Sequence, residues 1–383
     1  MIKGHDLIVL SDDWGRHPFS CQHIIKHFLP FNRVIWVNTI GYRSIQFNYY
    51  DFERAYGKIT SWLKNTANKL YTTPLDNPLI LNPVCVPFGK ILFVRSLNTR
   101  SVTRMVRKAV RHNRITDPIV ITTLPTAADF VGNMGEQRSI YYCVDDFTQW
   151  PGVHGNLMQV MEKQLLRKVD LVIASSEKLQ RTRNNGTRKT LLLTHGVDVE
   201  HFRSVAEVTP SRAVKDLMAP IVAYYGLIDE RCNFKIIRRL AAAMPGVTFL
   251  IIGQWRVDPG DLARMANIHI IGPVPYNDLP AYLSKVDALI LPYIVNDLAD
   301  SINPLKLKEY IATGLPIVAT PLPEVVKLER FVRIANGYNQ FHKELADVLT
   351  FIRREDPGIT AFLHENSWEA KAEEFSAMIE EVL

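Results

Sequence analysis

Short runs of aliphatic and β-branched residues recur along this chain with helix-length stretches between them, and that alternation leaves few architectures open. In the first half the runs are DLIVLS (6–11), VIWVN (34–38), ILFV (91–94), IVITTL (119–124), IYYCV (140–144), LVIASS (171–176) and TLLLTHG (190–196). They are nearly continuous in apolar residues, as strands covered on both faces are. Intervening segments such as QHIIKHFLPF and NLMQVMEKQLLRKV carry helical apolar spacing. Such alternation builds a parallel α/β sheet. From 204 to 215 the segment SVAEVTPSRAVK loses its period and carries a proline, which reads as a linker. The pattern restarts with PIVAYYG (220–226), TFLIIG (248–253), IHIIG (268–272), ALILP (288–292) and PIVAT (316–320), and after FVRIA (331–335) the chain turns helical.

At 383 residues the chain is longer than one hydrophobic core usually sustains. The expected organisation is a Rossmann-like domain over 1–205, a second over 206–360, and a final helix within 361–383. Two doubly wound domains joined by a linker bind ligands at the carboxyl ends of their strands, so a cleft lined by strand ends is where function is expected.

Composition excludes several classes. With 47% apolar and 22% charged residues the chain is neither disordered nor fibrous. No run reaches the roughly 18 apolar residues of a membrane span. Cys21, Cys85, Cys143 and Cys232 are scattered without a CxxC pair, which argues against a zinc site or a disulfide framework and fits a reducing cytoplasm. The net charge of +6 is modest, but Arg95, Arg100, Arg104, Arg107, Lys108, Arg111 and Arg114 accumulate between Ile91 and Thr116 without one acid.

Four strand ends carry candidate chemistry. After the first run, Gly15, Arg16 and His17 precede a helix starting near Phe19 or Ser20, a turn that presents backbone N–H groups to an anion or an acceptor hydroxyl; an ordinary βα turn would look the same. No GxGxxG is present, which argues against nicotinamide binding. In YYCVDDFTQWPG, Asp145 and Asp146 end a buried strand and point in different directions, so one can act as a general base while the other is hydrogen-bonded in place or caps the next segment. His195, in THGVDVEHF, ends the last strand of the first half, in a structural or a ligand role. In YYGLIDERCNFKII, Gly226 ends a strand, Arg231 and Lys235 supply cations, and a helix begins near Asn233; together these suit a diphosphate.

The segment SINPLKLKEYIATGLPIVAT (301–320) is the most informative. With Pro304 in the first helical turn, Asn303 serves as the cap, and Lys306 and Glu309 lie three apart on one face. A lysine there opposes the helix dipole unless an anion is bound, and Glu309 can accept hydrogen bonds from a sugar diol. The alternative is a surface ion pair between the two.

Taken together, YYCVDDFTQWPG, LVIASS, LLLTHGVDVEHF, YYGLIDER and NPLKLKEYIATGLPIVAT resemble, in the same order, the blocks of GT-B glycosyltransferases. The likeness is to family-4-like enzymes of bacterial surface-polysaccharide assembly, of the teichuronic-acid type. The resemblance implies an α/β GT-B fold of two Rossmann-like domains facing across a cleft, with the C-terminal helix, carrying Trp368, crossing back to the first domain. It implies a UDP- or GDP-linked sugar held by the second domain: Glu309 on the ribose, Lys306 with Gly226 and Arg231 on the diphosphate, and 271–280 around the base. Val274, Tyr293 and Asn303 count among the donor contacts, and Gly15, Arg16 and His17 lie on the acceptor side. Asp145, Asp146 and His195 are the catalytic candidates. No cofactor or metal is implied, because Lys, Arg and helix N–H groups can stabilise the departing diphosphate.

Two positions depart from the pattern. Retaining relatives carry a glutamate eight positions before the one matched by Glu309, where this chain has Ser301 with Asp300 beside it. Asp145 stands where many retaining relatives have histidine, which points to inversion. The arginines 100, 104, 107, 111 and 114 fall on one helical face, and Val102, Met105, Val106, Ala109 and Val110 on another. Residues 95–114 therefore suit an anionic membrane surface and a lipid-linked glycan acceptor, on the cytoplasmic face of the cell membrane; a solvated helix packed by its apolar face is the alternative. A GT-B-fold epimerase or phosphorylase would use the same cleft. A nucleic-acid binder is disfavoured, since the basic residues occupy one short stretch without interleaved aromatics.

Overall fold

The computed structural model describes residues 1–15, 19–38, 77–86, 91–150, 153–184, 186, 189–296, 299–350 and 357–383. Arg16 and His17 lie outside them. The chain forms two compact units: Met1–Thr194 together with Lys371–Leu383, and His195–Ala370.

In the first unit, β1 (Asp6–Leu10), β2 (Arg33–Val37), β3 (Leu79–Leu81), β4 (Ile119–Thr122), β5 (Arg138–Cys143), β6 (Leu171–Ala174) and β7 (Lys189–Leu192) form one sheet. Its order is β3-β2-β1-β4-β5-β6-β7 and every pair is parallel. Leu7 is in register with Val34 on one side and Ile119 on the other, so the winding direction reverses between β1 and β4. Val9, Trp36, Ile121 and Tyr141 are almost wholly buried, as continuous apolar runs require. Phe375 of the last helix, Trp368–Glu380, packs 6.1 Å from Phe28 and 5.4 Å from Tyr142, and the Ile2 amide donates to Ser376 Oγ.

ILFV is not a strand. It opens the helix Leu92–His112, whose Val102, Val106 and Ala109 are buried at helical spacing. The neighbouring strand is β3, whose three residues are too few to show a period. Arg114 lies beyond that helix, at φ 49°, and so does not share its face.

In the second unit, β8 (Ile221–Tyr225), β9 (Thr248–Ile252), β10 (Ile268–Ile271), β11 (Ala288–Leu291), β12 (Ile317–Ala319) and β13 (Arg333–Ile334) form a parallel sheet in the order β10-β9-β8-β11-β12-β13. Its winding reverses between β8 and β11, the position at which open α/β sheets bind ligands. The segment read as a linker is part of this unit. Val205 and Val214 are buried in its core and the Ser211 amide bonds the Ala281 carbonyl, so loss of period there marks a packed loop.

The helix Leu305–Thr313 connects β11 to β12 and ends at Gly314, left-handed at φ 65°. Pro304 occupies its N-cap position, so Asn303 lies one residue outside and is not the cap. Lys308, Glu309 and Tyr310 are buried, so this helix places polar side chains inside the unit. Among the described residues, no helix is long and apolar enough to cross a membrane.

Candidate functional site

The switch point of the second unit converges on Lys306. β8 ends at Tyr225, and Gly226 follows at φ 125°, a conformation that side-chain-bearing residues rarely adopt. A Cβ on Gly226 would lie 2.2 Å from Lys306 Cε and 2.4 Å from its Nζ. Gly226 therefore contributes by lacking a side chain. Its N–H is committed to the Ile252 carbonyl at 2.8 Å, which corrects the expectation that it donates to a phosphate. The N–H of Leu227, the next residue, has no acceptor among the described residues.

The Lys306 ammonium donates to Tyr224 Oη at 2.8 Å and to Tyr293 Oη at 3.0 Å. Both partners are hydroxyl oxygens, so among the described residues the ammonium has no ion pair. Glu309 does not pair with it. Its Oε2 accepts instead from Tyr225 Oη at 3.0 Å, which excludes the surface ion pair. Burial pushes the Glu309 carboxyl up to about 7, against the opposing pull of the Tyr225 hydrogen bond and of Lys306. Around it Phe202 stacks on Tyr225, and His201 stacks on Tyr276 at 4.3 Å. Val274 packs half-buried against the same core.

Arg231 forms a fork with Asp229, at 2.9 Å through Nε and 2.6 Å through one terminal nitrogen, so its charge is already balanced. Asn233 caps the helix Phe234–Ala243 by accepting from the Ile236 amide, as the sequence suggested for that helix start. Asn303 is buried next to Pro304.

His195 belongs to this unit too, apart from Lys306. It is buried, and burial, reinforced by the Lys308 charge, lowers its pKa to about 3, so the imidazole is neutral at ordinary pH. Lys308 Nζ donates to the His195 carbonyl and to Asn366 Oδ1, and a Cβ on Gly196 would meet the Trp368 ring at 2.6 Å. Lys306 and Lys308, two residues apart, thus serve different sides of one helix. Sequence reasoning overlooked Lys308 as well as Tyr224.

In the first unit the two aspartates separate by environment. Asp146 Oδ1 accepts from the Thr148 amide and hydroxyl and from Arg183 at 2.8 Å. Burial pushes its carboxyl up, but Thr148 and Arg183 outweigh this and hold it below the ordinary range. Arg183 also bridges to Glu162, which accepts from Tyr141 Oη at 2.8 Å. Asp146 is therefore held by an ion pair as well as by hydrogen bonds. Asp145 accepts from the Asp146 amide at 2.7 Å and from Trp150 Nε1 at 2.9 Å. Glu162 and Arg183 lie on helices away from any strand end, so the search for strand-end motifs passed over them. At Gly15, φ is 79° and the N–H donates to Gln22 Oε1 at 3.1 Å, so that turn is closed internally.

On the helix Leu92–His112, Arg100, Arg104, Arg107, Lys108 and Arg111 are exposed, with Leu92, Phe93 and Leu97 near its start. Arg95 is not part of that basic face. It forks onto Asp129, with contacts of 3.0 and 2.5 Å.

Comparison with known proteins bears on the fold and on the second unit. Residues 221–350, within the second unit, match the family Glycosyl transferases group 1. The chain is 29% identical over 178 residues to the putative teichuronic acid biosynthesis glycosyltransferase TuaH of Bacillus subtilis (strain 168). That alignment takes in 44% of this chain and 45% of the relative, so it spans about half the length of that curated relative. Among solved structures, E. coli trehalose-6-phosphate bound with UDP-2-fluoro glucose is similar at TM-score 0.70 and 12% identity, covering 99% of both chains. Anabaena Alr3699/HepE in complex with UDP and glucose is similar at 0.64 and 14%, covering 97% of this chain and 99% of its own. Sucrose-phosphate synthase from Thermosynechococcus elongatus gives 0.66 and 15%, covering 98% of each. At these identities the likeness shows the fold, which is GT-B.

Proposed function

We propose that this protein is a glycosyltransferase that moves a sugar from a nucleotide diphosphate sugar to a lipid-linked glycan in cell-surface polysaccharide synthesis. The observation that carries the reading is the Lys306 ammonium, seated on two neutral phenols over the bare face of Gly226, at the switch point of a group 1 domain. A full positive charge beside an open backbone N–H binds the diphosphate and stabilises the charge that develops on it as the glycosidic bond breaks, without a metal. Glu309, one turn deeper, receives the ribose hydroxyls, and Val274, Tyr293 and Asn303 line the rest of the donor site. Arg231 reaches the diphosphate by giving up part of its fork to Asp229.

The first unit supplies the acceptor side. Asp145 is the general base that takes the proton from the attacking hydroxyl, giving inversion at the sugar carbon, while Asp146 and Arg183 hold its loop. The exposed arginines of Leu92–His112 bind the anionic inner surface of the cell membrane, each contributing on the order of 1 kcal/mol. His195 supports the fold of the second unit as a neutral imidazole. The likeness to a relative named for teichuronic acid biosynthesis supports the polysaccharide assignment, and the UDP bound by Anabaena Alr3699/HepE supports a UDP-linked donor.

Calorimetric titration with UDP, GDP and ADP tests the donor half. The wild-type protein should bind one of them, and Lys306→Ala should bind it at least about tenfold more weakly, since a charge-assisted contact is lost. Equal affinity would remove Lys306 from the phosphate site.

A further inference from the structure

Tyr224 has so far been described only as a seat for Lys306, yet its hydroxyl makes three hydrogen bonds. It donates to the Leu227 carbonyl at 2.9 Å and accepts from Lys306 Nζ at 2.8 Å and from Cys232 Sγ at 3.2 Å. A carbonyl can only accept, so the phenol proton is committed to Leu227 and the oxygen lone pairs face Lys306 and Cys232. One oxygen atom therefore anchors two things: the ammonium and the Leu227 carbonyl. Lys306 has three N–H donors, of which two are taken by Tyr224 and Tyr293; the third has no acceptor among the described residues. The same holds for the N–H of Leu227.

We propose that Tyr224 is a positioning residue for diphosphate recognition, holding the Lys306 ammonium directly and the turn after Gly226 through the Leu227 carbonyl, so that the open N–H groups of Lys306 and Leu227 bind the same anionic ligand. This rests on the donor reading above. A phenol suits the task where a carboxylate would not. It anchors the ammonium without neutralising it, and its ring, 1% exposed, is locked in the core of the unit. The fixed geometry lowers the cost of ordering a long lysine side chain at the moment of binding.

The test separates phosphate recognition from general packing. Wild type, Tyr224→Phe and Tyr310→Phe are titrated with UDP, GDP and ADP and with the matching nucleosides, and thermal unfolding is recorded for each. Tyr310→Phe is the control, because its hydroxyl accepts from the Tyr225 amide and not from Lys306. Tyr224→Phe should bind the diphosphate that wild type prefers about tenfold more weakly while nucleoside affinity stays unchanged, and Tyr310→Phe should change neither. Full diphosphate affinity in Tyr224→Phe, or an equal loss for diphosphate and nucleoside, overturns the proposal. A wild-type protein that binds none of the three diphosphates removes the donor reading itself, and this inference with it. Should Tyr224→Phe not fold, Lys306→Arg keeps the charge but cannot sit on both phenols. Its diphosphate affinity should fall with nucleoside affinity unchanged, and retention of diphosphate affinity overturns the positioning role.

Discussion

Replacing Glu309 by Gln should make the protein more stable, and more so as the pH rises. Burial raises the Glu309 carboxyl from its ordinary 4.5 to about 7. A shift of that size corresponds to about 3 kcal/mol, since each pK unit is worth about 1.4 kcal/mol. The folded chain therefore holds a proton that the unfolded chain has lost between about pH 4.5 and pH 7, and stability falls with rising pH across that window. Below it both states are protonated and no cost is felt; above it both are ionised and the cost is complete. Glutamine is neutral throughout and keeps an oxygen for the Tyr225 hydroxyl, so the variant escapes the cost. Thermal unfolding of both proteins from about pH 4.5 to pH 8 should give coinciding midpoints at the acid end. They should diverge by about 6–12 °C at the alkaline end, taking about 2–4 °C per kcal/mol for a unit of this size. Other titrating groups are common to both proteins and cancel in the difference. Midpoints that stay parallel over the whole range would refute the reasoning, because they would show that Glu309 is not desolvated.

Gly226→Ala places a side chain at φ 125° and evicts the Lys306 ammonium from its phenols. It should cost about 1–3 kcal/mol in unfolding experiments and weaken diphosphate binding at least about tenfold; calorimetry showing wild-type affinity would contradict the assigned seat. Asp145→Asn should leave diphosphate affinity intact and abolish sugar transfer to a lipid-linked acceptor, and normal transfer would dismiss it as the base. Changing Arg104, Arg107 and Arg111 together to Ser should release the protein from anionic vesicles in flotation, by about 3 kcal/mol of lost attraction. Undiminished flotation would defeat the membrane assignment.

The sheets were legible because parallel strands buried on both faces leave continuous apolar runs, and every run read from the chain except ILFV became a strand, while β3 came from no such run. ILFV misled because a short apolar run looks the same at the start of a helix as in a strand. SVAEVTPSRAVK misled because a packed loop has no period, although Val205 and Val214 are buried. Lys306 and Glu309 drew attention because they are costly where they stand: one opposes a helix dipole and the other sits in a helix bound for the interior. Tyr224 and Tyr293 gave no such signal. They are aromatic residues at the ends of apolar runs, and Tyr224 lies 82 residues from the lysine it holds. Only the reversal of winding between β8 and β11 brings them together. The aspartate pair was visible as a pair, but the ion pair that sets Asp146 apart comes from Arg183, 37 residues beyond it, and could not be read from the two residues themselves.

The first unit is assembled from two separate stretches of chain, whereas the second is one continuous stretch. Translation is directional, so a ribosome that has just delivered Ala370 has made every residue of the second unit and still owes the first its Phe375 and Ser376. Phe28 and Tyr142 must wait for an aromatic partner made after the whole of the second unit. The usual N-terminal-first order of domain maturation is thereby inverted, and the interval in which the first sheet lacks that cover lasts as long as translation of the second unit.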